Sequence, residues 1–155
     1  MTNPQSPSRH RPRTCVDVLA LDAVAQSRAM ACGTLRAVDL MAATLERIAA
    51  LNPTLNAVVS LQSEASLMAA AEAADQSPRR GWMHGLPIAV KDLADVAGLP
   101  TSYGSPLFAK HVAARDSGMV ARMRAAGAIF IGKTNTPEFG LGSHTFNPVH
   151  GVTAN

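Results

Sequence analysis

The chain has 155 residues, 47% hydrophobic and 16% charged, a balance that excludes an intrinsically disordered protein and is sufficient for one domain with a real core. Aromatic residues reach only 4%, too few for a base-stacking surface on single-stranded nucleic acid. The formal charge of +3 does not describe a basic face: Arg9, Arg11 and Arg13 sit in the acid-free stretch MTNPQSPSRHRPR, and setting these three aside from 14 Lys and Arg leaves 11, equal to the 11 Asp and Glu.

Residues 1–14 carry Pro4, Pro7 and Pro12 and no apolar run, so they are expected to form a disordered leader rather than a secretory signal or a spanning helix. Cys15 and Cys32 are the only cysteines. They lack metal-ligand spacing, and without an export signal two reduced thiols in a cytoplasmic protein is the simplest expectation.

A first helix is expected over about 17–30, with Val18, Leu21, Val24 and Ala25 on one face and Gly33 as its stop. Thr34 is the expected N-cap of a second helix, LRAVDLMAATLERIAAL, where Val38, Met41, Leu45 and Ile48 recur at three-and-four spacing. Asn52-Pro53 should end it, because the residue before proline is pushed out of the helical region. A strand through Ala57, Val58 and Val59 follows, then an Ala-rich helix, SEASLMAAAEAADQ, running out at Ser77-Pro78.

Ile88, Ala89 and Val90 read as a buried strand. Gly98, Pro100, Gly104 and Pro106 mark an irregular segment. Asp116 is the expected cap of a fourth helix, SGMVARMRAA, with Met119, Val120 and Met123 facing inward and Gly127 as terminator. AIFIGK is a second apolar strand, so strand, crossover, helix and strand form a βαβ unit with parallel pairing. Beyond Lys133 the periodicity fades; Pro137 can open a brief helix through Glu138 and Phe139, and the rest reads as loop.

The chemistry starts with Lys91, which directly follows the strand Ile88–Val90. Ligands in α/β sheets bind beyond the carboxyl ends of strands, and a lysine withdrawn from water loses basicity and can accept a proton. The plainer reading is a solvated strand end paired with Asp92. GLGSH, from Gly140 to His144, lacks the Gly-x-Ser-x-Gly pattern of a nucleophile elbow and reads as loop. SYGS reads as turn chemistry and DSG as a helix cap. His84, His111, His144 and His150 lie scattered, without a spacing that would gather a metal. No Gly-x-Gly-x-x-Gly follows a predicted strand, which argues against a dinucleotide site.

Four stretches change the reading when taken in order: HGLPIAVKDLADVAGLPTSYGS, ARDSGMVARMRAAGAIFIGKTNTPEFG, NPVHGVTAN and, more loosely, LNPTLNAVV. Together they closely resemble the amidase signature family, the Ser–cisSer–Lys amidases, from about Leu19 onward. The resemblance implies an α/β/α fold with a mixed sheet flanked by helices, residues 15–155 being the N-terminal portion of a single amidase domain. It implies hydrolysis of a carboxylic amide C–N bond by a serine nucleophile, a bridging serine on a cis peptide bond and a lysine, which matches Lys91.

In that scheme the lysine is neutral, screened from solvent, and draws a proton through the bridging serine; Asp92 is expected to help hold it. Asn135, Thr136 and Glu138 match the family's TN-x-PE stretch near the site wall, where structural support is their expected role. The family's Ser/Gly-rich stretch and its nucleophile lie C-terminal to the matched residues, and no Ser-Ser pair occurs here. The 155 residues alone are therefore expected to be inactive.

The implied substrate is a small non-peptide amide, with no metal or organic cofactor and no membrane partner. An alternative within the family is the A chain of glutamyl-tRNA amidotransferase, which hydrolyses glutamine and needs partner subunits and tRNA. A second alternative is a non-catalytic scaffold of the same fold.

Overall fold

The computed structural model describes residues 17–154; the expected leader and Cys15 lie outside them. Cys32 is a free, exposed thiol.

Helix α1 spans Ala23–Ala31 and begins where the Asp22 side chain accepts from the Ala25 N–H at 2.7 Å. This is later than periodicity predicts. Asp17 instead accepts from the Leu19 N–H at 3.0 Å and turns the chain before the helix, leaving Val18 and Leu19 to pack beside buried Leu35, Leu40 and Leu86. Helix α2, Ala37–Leu55, differs at both ends. Its N-cap is Arg36 rather than Thr34, whose hydroxyl donates back to Ala29 O.

At its C-terminus α2 runs through Pro53 to a left-handed Asn56. The Asn52 side chain makes this possible by accepting from the N–H groups of Ala57 and Val58 and donating to Val58 O. Those bonds fasten the last turn to the following strand, where proline sterics alone predict a break.

Strand β1 is Val58–Val59, and α3, Glu64–Asp75, is capped by Ser63. Strand β2, Pro87–Lys91, and strand β3, Ile129–Thr134, flank α4, Gly118–Ala125. The sheet order is β1-β3-β2, with β2 parallel and β1 antiparallel to β3. The expected βαβ pairing is present, and the sheet is mixed, as the resemblance implied.

Helices cover both faces. Ala37 and Met41 of α2 and Leu67, Ala71 and Ala74 of α3 pack on Ile129 and Ile131. On the opposite face Val120 of α4 meets Val90, Val96, Leu99, Ala128 and Phe130. Each fully buried Leu or Val contributes about 1.5–3 kcal/mol of transfer free energy, so the two cores hold the sheet between helical layers.

Helix α4 departs from expectation in two details. Ser117 takes the N-cap position while Asp116 pairs with Arg124 and accepts from the Ala97 N–H at 2.7 Å. Met119 faces solvent, and only Val120 is fully buried. Gly127 terminates the helix with φ +94°, and a Cβ there would sit 2.7 Å from the His84 backbone. The region expected to be loop also holds a hairpin, β4 (Phe146–Asn147) and β5 (Gly151–Val152), after a 3-10 turn over Glu138–Gly140.

Candidate active site

Lys91 is the last residue of β2 and pairs in register with Thr134, the last residue of β3. Both strands are parallel there, so Lys91 lies at the carboxyl edge of the sheet, as its place in the sequence predicts. Its backbone is held on both sides: Lys91 O accepts from Ala94 N–H at 3.0 Å, and the Asp92 N–H donates to Thr134 O at 2.9 Å. The side chain is exposed rather than screened.

Asp92 is the reason the plainer reading fails as well. Successive strand residues point to opposite faces, and Asp92 takes the inward one, only 1% exposed. Its carboxylate accepts from the Ser102 N–H at 3.1 and 3.2 Å and from the Ser102 hydroxyl at 2.5 Å. It stands 3.8 Å from Lys133 Nζ, both side chains being buried. Asp92 is thus the partner of Lys133, not of Lys91.

In the sequence Lys133 stands out only as the end of the AIFIGK strand, yet it is wholly buried. It pairs in register with Val90 and shares that residue's face of the sheet. Its ammonium donates to Ala94 O at 2.5 Å and to Thr101 Oγ1 at 3.0 Å. Burial pushes its pKa down, while Asp92 and Asp95 pull it back up. The sequence does carry a signal for Lys133, since it also closes an apolar strand, but spacing cannot distinguish a lysine that turns in from one that turns out.

His150 joins the same cluster from the β4–β5 turn. Its Nε2 lies 3.2 Å from Ser102 Oγ and 3.6 Å from Asp92 Oδ2. The single Ser102 hydroxyl proton goes to Asp92, so the short contact requires Nε2–H of His150 to donate to Ser102 Oγ. The histidines are therefore not all isolated: His150 meets a carboxylate, whereas His84 is buried with Nε2 2.9 Å from Ala74 O. SYGS does form a turn, with Tyr103 and Gly104 both at positive φ, but its first serine also anchors Asp92.

Asn135 and Thr136 are buried. The Asn135 side chain donates to Gly151 O and Thr153 Oγ1 and accepts from Asn147 Nδ2 at 2.7 Å. Its backbone N–H reaches Ala57 O. This stretch ties β1, β3 and the hairpin together, while Glu138 is exposed. GLGSH lies in the exposed loop before β4, with no nucleophile geometry. Among the described residues no three His, Cys, Asp or Glu side chains converge as metal ligands, and no helix is long and apolar enough to cross a membrane.

Comparison with known proteins agrees with this architecture. The chain is similar to an indoleacetamide hydrolase of Bradyrhizobium diazoefficiens, 42% identical over 137 residues, covering 86% of this chain and 26% of that protein. It is 39% identical over 139 residues to the A chain of a glutamyl-tRNA(Gln) amidotransferase of Chloroflexus aurantiacus, covering 87% of this chain and 28% of that one. Its structure superposes on the peptide amidase of Stenotrophomonas maltophilia with a TM-score of 0.76 at 32% identity, covering 86% of this chain and 29% of that chain. The chain thus spans between 26% and 29% of the length of these three proteins. The family described as Amidase matches residues 39–155, which include both Lys91 and Lys133, and the chain belongs to that family.

Proposed function

We propose that these residues are the lysine-bearing N-terminal portion of a cytoplasmic amidase that hydrolyses the C–N bond of a small, non-peptide carboxylic amide. The observation that carries the reading is Lys91 at the carboxyl edge of parallel strands inside the family match over 39–155. The reaction needs no metal or organic cofactor. A serine oxygen attacks the carbonyl carbon while the serine proton passes through the bridging serine to neutral Lys91. The tetrahedral oxyanion, held by backbone N–H groups, collapses and the C–N bond breaks. Lys91 returns the proton to the departing amine; water then cleaves the acyl-serine ester, releasing the carboxylic acid.

Both serines are expected C-terminal to Asn155. The Lys91 ammonium, exposed in these residues, would be covered by the polypeptide that carries them. The similarity to amidotransferase A chains supports a second reading, glutamine hydrolysis within a complex of partner subunits and tRNA. Release of ammonia from glutamine by the full-length protein, with no turnover of simple amides, would select it. A scaffold without catalysis is the outcome if neither amide is cleaved.

The decisive measurement is turnover of a chromogenic anilide by the full-length gene product and by its Lys91→Ala variant. A proton-transfer group is worth roughly 10²–10⁴-fold, and a loss of that size is expected. In the 155-residue chain, where Lys91 is exposed, the same substitution should change unfolding free energy by less than about 0.5 kcal/mol. Undiminished turnover in the variant, or turnover by the 155-residue chain alone, would overturn the proposal.

A further inference from the structure

Helices α1 and α4 are each followed by a glycine at positive φ, Gly33 at +73° and Gly127 at +94°. Helix α2 ends instead on a left-handed asparagine, Asn56, at φ 51° and ψ 42°. Glycine takes that conformation without a Cβ penalty, so an asparagine there brings in a side chain at a cost in backbone energy. Its Nδ2 donates to His150 O at 2.6 Å and to Val152 O at 3.0 Å, partners 94 and 96 residues along the chain. We infer that Asn56 is a positioning residue for amide hydrolysis. With Asn135 opposite, it fixes residues 150–154 at the carboxyl edge of the sheet that carries Lys91, and so sets where the polypeptide bearing the serines begins. The inference rests on the function proposed above.

The segment is gripped from two sides. Asn56 spends both Nδ2 protons on the carbonyls of His150 and Val152, and its own carbonyl accepts from the Thr153 hydroxyl at 2.7 Å. Asn135, which is buried, donates from Nδ2 to Gly151 O at 3.3 Å and to Thr153 Oγ1 at 3.0 Å. The Thr153 hydroxyl thus donates to one asparagine and accepts from the other. The Ala154 N–H adds a bond to Leu55 O at 2.9 Å, so the end of α2 holds the segment through backbone and side chain together.

Each link from this grip to Lys91 is short. Asn135 directly follows Thr134, which pairs in register with Lys91 across strands about 4.8 Å apart. The Asn135 N–H donates to the carbonyl of Ala57, the residue after Asn56, at 2.9 Å. Residues 150–154 are therefore tied to the sheet edge that Lys91 occupies, and by side chains rather than by a long ladder, since β5 has only two residues. In the proposed reaction both serines follow this segment, and their distance from Lys91 depends on where the chain leaves it. A misplacement of about 1 Å in a reacting group can cost on the order of 10²-fold. Asn56 takes no chemical step; it acts through the path of the chain.

The test is steady-state hydrolysis of 4-nitroacetanilide by the full-length gene product, with amide hydrogen exchange read on the same samples. Asn56→Gly keeps the left-handed turn and deletes only the two Nδ2 bonds. It should lower kcat roughly 10–100-fold while KM stays within about twofold, the pattern of a lost transition-state alignment. Amides of residues 151–154 should exchange roughly tenfold faster, the size of one or two lost hydrogen bonds, while the end of α2 keeps its protection. Thr153→Val removes the bridging hydroxyl at nearly constant shape and should separate kcat from KM in the same way.

Asp75→Ala, which removes the oxygens bonded to the Ala37 and Val38 N–H groups at the other end of α2, serves as the control: it should lower stability and leave kcat alone. Unchanged kcat or unchanged exchange over 151–154 in Asn56→Gly overturns the inference, as does an equal fall of kcat in Asp75→Ala. A KM that rises in step with the loss of kcat overturns it too, because the segment would then act on substrate binding. If Asn56→Gly does not fold, Thr153→Val decides by the same readings. Full turnover by Lys91→Ala would instead remove the proposed function beneath the inference, an outcome separate from all of these.

Discussion

The Asp75 carboxylate, at the end of α3, accepts hydrogen bonds from the backbone N–H groups of Ala37 at 2.7 Å and Val38 at 3.1 Å, the first turn of α2. The α2 N-cap, Arg36, supplies no capping oxygen, and its side chain pairs with Asp39 instead. One helix therefore caps another from 38 residues away. Asp75→Ala should lower the unfolding free energy by about 1 kcal/mol, the usual worth of an N-cap. Asp75→Asn, which keeps an acceptor, should lose less. Urea melts of the two variants check the order, and equal stability of Asp75→Ala and wild type would contradict it.

Gly132 is needed for a close approach between segments. A Cβ on it would lie 2.9 Å from Leu61 Cα and 2.9 Å from Ser60 O, both backbone atoms that cannot rotate aside. Gly132→Ala should force β1 off β3 and cost roughly 1–3 kcal/mol, the range for overpacking. Faster amide hydrogen exchange at Val58, Val59 and Lys133 would register the loosened pairing. Protection equal to wild type would show that the backbone yields at no cost.

Asn147 uses both ends of its buried amide. Its Nδ2 donates to Asn135 Oδ1 at 2.7 Å and Thr136 O at 2.8 Å, while its Oδ1 accepts from the Val149 and His150 N–H groups. Asn147→Ala should cost about 1–3 kcal/mol by leaving buried partners unpaired. Asn147→Asp should be worse at pH 7, because a carboxylate oxygen then faces two acceptors. Its deficit should shrink on acidification, when the protonated acid can donate again. Thermal melts of the two variants at pH 7 and pH 4 read the difference directly.

Asp116 carries a pH dependence with a defined sign. Arg124 donates to it at 2.6 and 2.9 Å and the Ala97 N–H at 2.7 Å, and these bonds, Arg124 foremost, hold its pKa below the ordinary 3.8. A depressed carboxyl stabilises the fold above the unfolded value and loses that contribution as pH falls through the folded one. The stability gap between wild type and Asp116→Asn should be about 1 kcal/mol at pH 7, modest because Arg124 is half-exposed. The gap should close as pH drops below 3.8. A gap that persists unchanged at pH 2 would assign the effect to packing.

The folded elements were legible wherever one segment's own pattern decides its conformation. The apolar runs at Ile88–Val90 and Ile129–Ile131 became strands, and the Ala-rich helix stopped before Ser77-Pro78. The same local logic failed at Pro53, where Asn52 bonds forward to β1, and at Thr34, which Asp75 makes unnecessary as a cap. The β4–β5 hairpin was invisible because its two-residue strands have no periodicity; Asn135 and Asn56 hold it through side-chain bonds to its backbone.

For the site, the sequence by itself showed two lysines, each directly after an apolar run, and its motifs match Lys91 to the lysine that the family resemblance implies. Which of them meets solvent was decided only by the tertiary structure, together with the partner of Asp92. Hydrophobic period reports how a strand relates to its own two faces, a local property carried by consecutive side chains. Charge pairing depends on the distance between groups far apart in sequence, such as Ser102 and His150 around Asp92. That distance exists only once β2 and β3 are in register, because burying an ammonium away from water is tolerable only where folding brings a carboxylate, a backbone oxygen and a hydroxyl to it.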